Sequence, residues 1–389
     1  MSTKLRAGVI GLGILGNAHA DYLAKRPDIQ LVALADLRME AAEQAAVRLG
    51  TRAYSDYHSM LAQEKLDLVV VATPDPLHRE PTLASLEAGV PNILQEKPFA
   101  TTMADAEAIY EAVEKKKARF FINFANRVAP LDIATRYVIQ EGLLGRVVYG
   151  ESRLDDNISV PTQMWGNRTK EWAAGSSTAH FLLSHVVDLL RFYFAPAEVR
   201  EVYAISQREV LGYTPDLYDA YLTFDTGLKV RVKAEWIKHI DDLVEFYMCF
   251  TGADGTLIYN KRGAYGTEPG WRANISKTTD PHALMEHQTR LAGLGVNVAM
   301  LLHRPSPTAG QLKAGGGELM PALEYHGLGY SDWMALDGLF IDAILEDTLT
   351  PKGWQKLGPL PNHQDGMRQA QVVTAIVRSA ETGQIITLT

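Results

Sequence analysis

Cysteine is nearly missing from this sequence: Cys249 stands alone among 389 residues. A single cysteine excludes an intramolecular disulfide and argues against a thiolate metal site. Its place in the apolar run Phe246–Phe250 suits a buried small hydrophobe better than a nucleophile. Long apolar runs are also lacking. With no window of about eighteen apolar residues, no transmembrane helix is expected. Basic excess is lacking too: 38 Lys and Arg against 46 Asp and Glu give a formal charge of −8, which excludes nucleic acid and anionic membrane surfaces as partners. The short run Lys115–Lys117 ends an expected helix, where cations suit the helix dipole. Three glycines break the apolar N-terminal stretch and no small-residue cleavage site follows it, so no signal peptide is expected and a cytoplasmic location is.

What is present is enough apolar side chain, 47% of the residues, for a large core and two domains. The first third alternates strands (Ala7–Ile10, Gln30–Ala35, Leu66–Ala72, Asn92–Gln95, Phe120–Phe124) with helices (Gly16–Arg26, Met39–Leu49, Pro81–Ala88, Met103–Lys116). That alternation predicts an α/β doubly wound parallel sheet, a Rossmann domain over residues 1–127. The pattern then changes. A helix at Asp132–Glu141 is followed by longer alternating strands at Val147–Leu154, Val199–Ser206, Ala220–Phe224, Leu228–Trp236 and Leu243–Thr251, with a helix over Ser176–Phe194 among them. Asp225-Thr226-Gly227 is a hairpin signal. Residues 128–389 therefore read as an α+β domain whose large, mostly antiparallel, open-faced sheet has helices on one side. Residues 260–330 read as an insertion covering or extending a substrate site, with one helix around His282–Leu302. Exposed apolar residues of Val199–Ile205 and Leu228–Trp236 are expected to pair with a second subunit, giving a homodimer or homotetramer.

The sharpest local signal is G-x-G-x-x-G: Gly11, Gly13 and Gly16 between a strand and a helix. The first permits a tight turn, the second admits a pyrophosphate, and the third lets helix and strand touch. Asp36 ends the second strand, where a carboxylate accepts hydrogen bonds from ribose hydroxyls and repels a 2′-phosphate. NAD is the expected cofactor, with NADP the alternative that Arg38 leaves open. Ile14, Leu15, Leu37, Thr73, Pro74, His78, Glu96, Lys97 and Asn126 complete the expected cofactor contacts.

Beyond the glycines and Asp36 come T-P-D-P-L-H (Thr73–His78) and E-K-P (Glu96–Pro98), each after a strand. Then follow Arg127 and Pro130, E-G-L-L-G (Glu141–Gly145), H-V-V-D (His185–Asp188), F-I-D-A-I (Phe340–Ile344) and R-S-A-E-T-G (Arg378–Gly383). In this order the motifs resemble the superfamily of glucose–fructose oxidoreductase, inositol dehydrogenase and rhizopine-catabolism proteins, Gfo/Idh/MocA. The resemblance implies hydride transfer between nicotinamide and a sugar, sugar-derivative or cyclitol alcohol carbon. It implies Lys97 and His185 as catalytic residues. Such chemistry needs a proton acceptor and a positive group for the developing oxyanion. Lys97, His185, Arg127, Asp156, Asn157, Trp165, Arg168, Asp188 and Trp236 are the candidate substrate contacts. Trp165 and Trp236 could stack on a sugar's apolar face.

One departure stands out. Many relatives have G-G-G-x-x-x-D-x-G-x-H where this chain has G-S-S-T-A-H-F-L-L-S-H (Gly175–His185). Phe181 takes the aspartate's position and Leu183 the later glycine's. His180, five residues before His185, projects about 140° away on a regular helix. Three consequences are open: another group assists His185, Lys97 becomes the main acid/base, or the substrate differs from a simple polyol. Two further readings remain: glycoside cleavage with transient oxidation and internal NAD recycling, and a non-catalytic cofactor-binding sensor. His282, Glu286 and His287 do not form H-E-x-x-H, and no metal site is expected.

Overall fold

The computed structural model describes residues 4–262, 268–275, 280–303, 320–328, 334–354 and 357–389. Two compact units result, each built from separate stretches of chain. Met1–Ala125, Glu171–Ser184 and Asp332–Thr374 make the first, and Asn126–Lys170, His185–Ser331 and Ala375–Thr389 the second.

The first unit holds six parallel strands: β1 (Leu5–Ile10), β2 (Ile29–Ala35), β3 (Arg52–Tyr54), β4 (Leu68–Val71), β5 (Asn92–Gln95) and β6 (Arg119–Ile122). Their spatial order, β3-β2-β1-β4-β5-β6, is that of a doubly wound dinucleotide-binding sheet. Leu68–Val71 is buried throughout, as a strand covered on both faces must be. The short strand β3 carries no periodicity and was not expected. Nor was the helix Tyr57–Gln63, whose first turn Asp56 caps by accepting from the His58 and Ser59 amides. Near the chain's end, the helix Ala335–Leu345 joins this unit by stacking Phe340 on Phe121, with ring centroids 4.7 Å apart.

The single helix expected over Ser176–Phe194 is broken. Thr169–Gly175 is a short α-helix, Ala179–Leu183 is a π-helical turn, and Ser184–Phe194 is α-helical again. A π turn winds through i→i+5 hydrogen bonds. The 140° projection between His180 and His185 assumed regular α winding and does not carry across it.

The second unit holds ten strands: β7 (Val147–Asn157), β8 (Val199–Gln207), β9 (Leu217–Phe224), β10 (Lys229–Lys238), β11 (Val244–Gly252), β12 (Thr256–Arg262), β13 (Gly270–Asn274), β14 (Ala299–His303), β15 (Met320–His326) and β16 (Ile386–Thr387). Their order is β14-β15-β13-β12-β11-β7-β10-β9-β8-β16, and only β7 and β10 run parallel. Asp225–Gly227 forms the expected hairpin, with Gly227 at φ 82. The inner face packs under the helices Pro130–Gln140 and Ser184–Phe194. Phe194 meets Phe224 at 5.8 Å between ring centroids, Tyr193 meets Phe250 at 5.9 Å, and Trp271 Nε1 donates to Thr135 at 2.9 Å.

Three expectations about this unit need correction. The described part of residues 260–330 builds strands β13 to β15 at the sheet's edge, and its helix ends at Gly293, with strand beginning at Ala299. Cys249 points to the outer face and is only half-buried, because alternation along β11 sends Met248 and Phe250 inward instead. In β10 the apolar residues Val230, Val232, Ala234 and Trp236 are the buried set, so the outer face shows Lys229, Arg231, Lys233 and Glu235. The exposed apolar residues include Tyr203 and Ile205, within the expected Val199–Ile205, together with Tyr149, Tyr221 and Ile258. Among the described residues no helix is long and apolar enough to cross a membrane.

Candidate active site

In the first unit, the loops after β1, β4 and β5 lie at the carboxyl ends of three neighbouring parallel strands, the edge where open α/β sheets bind ligands. Gly11 takes φ 90, and a Cβ there would stand 2.6 Å from the Ala72 carbonyl oxygen. At Gly16 a Cβ would stand 1.8 Å from the Gly11 oxygen. Gly13 is different, since a Cβ there would meet nothing within 4 Å. It borders open space at the N-terminus of the helix Ile14–Lys25, whose first turn holds no acidic residue. Free amides, the dipole's positive end and room beside Gly13 fit a dinucleotide pyrophosphate. Asp36 stands beside this turn. Its Oδ2 accepts from the Leu12 amide at 2.8 Å, and its Oδ1 accepts from the Arg38 amide at 2.9 Å and from Arg38 Nε at 3.2 Å. Ile14, Leu37 and Arg38 are exposed around it, whereas Leu15 is partly covered.

His78 is buried, with its ring nitrogens 2.7 Å from the Pro98 oxygen and 2.9 Å from the Thr73 oxygen. It ties the loop Thr73–His78 to the E-K-P turn and is committed to backbone. Glu96 is similarly committed. Its Oε1 faces His19 Nε2 at 2.8 Å and accepts from Asn123 Nδ2 at 2.7 Å, while Oε2 accepts from the Lys97 amide at 3.2 Å. On its other side the His19 ring places Nδ1 2.5 Å from Asp337 Oδ2. Burial opposes a charge on His19, but Asp337 and then Glu96 outweigh it and push the imidazole up to about 10. His19 keeps the Glu96 carboxyl below its ordinary range despite complete burial. The result is a buried carboxylate–imidazolium–carboxylate line that holds the base of Lys97. Sequence reasoning missed His19 and Asp337; the spacing G-x-x-G-x-x-H (Gly13 to His19) was the available signal for the first.

The Lys97 ammonium donates to the Phe181 carbonyl at 3.2 Å and sits 3.9 Å from the centroid of the Phe181 ring. Trp172 meets that ring edge-on at 4.9 Å. Phe181, in the aspartate's position, thus contacts the candidate catalytic lysine by both carbonyl and ring. His180 Nδ1 lies 2.8 Å from Ser177 Oγ, and desolvation lowers this imidazole to about 4 against the opposing charge of Asp75, so His180 stays neutral near pH 7.

The second unit contains the other candidates. His185 Nδ1 lies 3.1 Å from Asn126 Nδ2. The Asn126 oxygen accepts from Lys261 Nζ at 2.7 Å, and Lys261 also donates to Asp132 Oδ2 at 2.5 Å. Tyr193 donates its hydroxyl to the other Asp132 oxygen. Lys261 and Asp132 carried no signal in the sequence. Arg127 and Asp188 are both buried and paired to one another, through Nε at 3.1 and 3.0 Å and Nη2 at 2.5 Å. Asp156 and Trp236 are likewise buried, with Trp236 Nε1 donating to Asp156 Oδ2 at 3.2 Å. A tryptophan with no accessible surface offers no face to a sugar. Asn157 ties down its own loop, donating to the Ile240 oxygen at 2.6 Å and accepting from the Ser159 amide at 3.0 Å. Trp165 is half-buried and caps the short 3-10 turn Gly166–Arg168, whose last residue, Arg168, is exposed. His287, weighed as a metal ligand, lies 2.8 Å from the Tyr137 hydroxyl. Among the described residues no three His, Cys, Asp or Glu side chains gather as a metal set.

Comparison with known proteins bears on these features. Residues 5–124 match the oxidoreductase family with an NAD-binding Rossmann fold, and residues 133–258 match the GFO/IDH/MocA C-terminal domain. The chain is similar to a levoglucosan dehydrogenase of Pseudarthrobacter phenanthrenivorans, 31% identical over 49% of this chain and 51% of that one. It is also similar to an inositol 2-dehydrogenase of Acidothermus cellulolyticus, 32% identical over 56% of this chain and 62% of that one. The aligned region thus spans between about half and three-fifths of these relatives. A levoglucosan dehydrogenase solved with NADH and levoglucosan has the same fold over 99% of both chains, with a TM-score of 0.73 at 22% identity. Glycine turn, strand order and open sheet agree with both family models, and the chain belongs to the Gfo/Idh/MocA oxidoreductases with an NAD-binding Rossmann domain.

Proposed function

We propose that this protein is an NAD-dependent dehydrogenase acting on the hydroxyl-bearing carbon of a monosaccharide, sugar derivative or cyclitol. One observation carries the reading: Lys97 stands at the same sheet edge as the glycine turn, two strands away, or about 10 Å. That spacing suits a dinucleotide whose pyrophosphate lies at Gly13 and whose far end reaches Lys97. NAD, when bound, exchanges a hydride with the substrate carbon. Asp36 favours NAD over NADP because a carboxylate fixed on the Leu12 amide repels a 2′-phosphate, and Arg38 is already turned onto Asp36. Lys97 holds the substrate oxygen as negative charge develops on it, and a cation is favoured over an aromatic face. His185, in the second unit, is a further polar group we assign to the reaction. The buried pairs Arg127–Asp188 and Asp156–Trp236 shape the second unit and are not assigned to the substrate.

The test is direct. The purified protein is offered NAD or NADP with a panel of sugars, sugar acids, anhydrosugars and inositols, and nicotinamide absorbance is followed. Reduction of NAD by one class, abolished in Lys97→Ala with NAD binding kept, is the expected result. Cofactor binding without turnover on any member of the panel would overturn the assignment.

We also infer that the outer face of the ten-stranded sheet meets a second copy of the chain. Tyr203 lies opposite Tyr221, Tyr221 opposite Arg231 and Tyr149 opposite Lys229. Two of the charges on this face are paired within it, Arg231 with Asp219 and Arg153 with Glu245. A surface with apolar rings and paired charges can meet its own copy about a twofold axis.

A further inference from the structure

The reading above leaves open how His185 would meet a substrate oxygen, and the second unit contains an answer. An ammonium has three donors and no acceptor. The group 2.7 Å from Lys261 Nζ must therefore be the Asn126 oxygen, which settles an amide orientation that distance alone leaves ambiguous. The Asn126 amino group consequently faces His185 Nδ1 at 3.1 Å, and Nδ1 must accept. A neutral imidazole carries one proton, so that proton resides on Nε2.

We propose that Lys261, acting through the Asn126 carboxamide, is a positioning residue that fixes neutral His185 as the Nε2–H tautomer, so that Nε2 offers the substrate a hydrogen-bond donor. This rests on the dehydrogenase reading for its substrate but not for its tautomer. The chain of groups resists reversal. A proton on Nδ1 would face the Asn126 amino group, and turning the amide to relieve that would set the amino group against the Lys261 ammonium. Lys261 is itself anchored. It donates to the fully buried Asp132 at 2.5 Å and lies 5.1 Å from the Phe246 ring centroid and 5.9 Å from that of Tyr259. Asp132 is in turn held by the Tyr193 hydroxyl. This arrangement gives the imidazole a fixed donor without the aspartate that Phe181 replaces.

The experiment reads the tautomer in the full-length protein without cofactor or sugar. Long-range proton–nitrogen correlation spectra of histidine-labelled protein near neutral pH are recorded, with His185 assigned by the signals missing in His185→Gln. The expected pattern is a protonated Nε2 and a bare Nδ1. Lys261→Met should lose that pattern and Lys261→Arg, which keeps a cationic donor, should retain it. Should Lys261→Met fail to fold because Asp132 is left unpaired, Asn126→Asp takes its place, since a carboxylate can only accept and must invert the tautomer. A protonated Nδ1 in the unaltered protein, or an unchanged pattern in Lys261→Met or Asn126→Asp, overturns the proposal. Turnover on the sugar panel is a separate readout, so failure of the tautomer and failure of the dehydrogenase reading are distinguishable.

Discussion

The Lys97 ammonium lies 3.9 Å from the centroid of the Phe181 ring and 3.2 Å from the carbonyl oxygen of the same residue. At the position where the resemblance implies an aspartate, this chain presents a π face. Phe181→Leu keeps the carbonyl and removes the ring. A cation–π contact contributes about 0.5–2 kcal/mol, so kcat/KM should fall by about 2- to 30-fold while NAD affinity is unchanged. Steady-state kinetics beside a binding titration checks this, and equal kcat/KM would show that the ring has no part in holding Lys97.

Gly13 and Gly16 should fail in opposite ways. A methyl at Gly16 meets the Gly11 oxygen at 1.8 Å, whereas one at Gly13 meets no part of the chain within 4 Å. Gly16→Ala should lower stability by about 3 kcal/mol through overpacking and backbone shift. Gly13→Ala should melt within about 2 °C of the unaltered protein yet lose NAD binding, because its methyl stands in the space left for phosphate. Calorimetry with and without NAD separates the two.

His19 links stability to pH with a definite sign. Its folded pKa is raised to about 10 from an ordinary 6.5. The charged ring's contribution is therefore complete below about pH 6.5 and is lost as pH rises through 10. His19→Gln leaves Glu96 and Asp337 without their shared cation and should cost about 3–5 kcal/mol near pH 6. Denaturant titrations at several pH values should show the gap between the two proteins closing toward pH 10. A gap that widens with pH would contradict the imidazolium assignment.

The outer sheet face yields a prediction about assembly. Light scattering should find a dimer or tetramer, and Tyr203→Glu combined with Tyr221→Glu should reduce it to monomer without loss of the fold. These residues oppose one another across β8 and β9, so each added carboxylate faces a like charge within its own chain and in its partner. A monomeric unaltered protein would remove the inferred interface.

The first sheet was legible because its strands announce themselves: Leu68–Val71 and Asn92–Gln95 are buried throughout and continuous in the sequence. Arg52–Tyr54 was not, because three residues hold no period. The motif positions Gly11, Gly16, Lys97 and His185 were readable as residue types at fixed spacing. Their partners were not, since His19 to Asp337 and Asn126 to Lys261 are long-range contacts set by packing, and no local rule selects them. Trp236 misled for a related reason. Its alternation with Val232 and Ala234 marked it as inward-facing, but a tryptophan in a chain expected to take a sugar invites a stacking role. The break at Ala179–Leu183 was invisible because a π turn differs from an α turn by one residue per hydrogen bond, not by composition.

The line from Glu96 through His19 to Asp337 also has a history within each molecule's synthesis. His19 and Asp337 are 318 positions apart, so at about 5–20 residues per second the histidine emerges roughly 15–65 s before its second carboxylate exists. The glycine turn, its helix and the E-K-P strand are all complete by then. Yet the imidazole must wait with one nitrogen unmatched, and Phe121 must wait for Phe340. The nascent dinucleotide-binding sheet is thus left with an unfilled charge and an uncovered aromatic surface until Asp337 and Phe340 have been made, an interval in which a chaperone or the ribosome itself has something to shield.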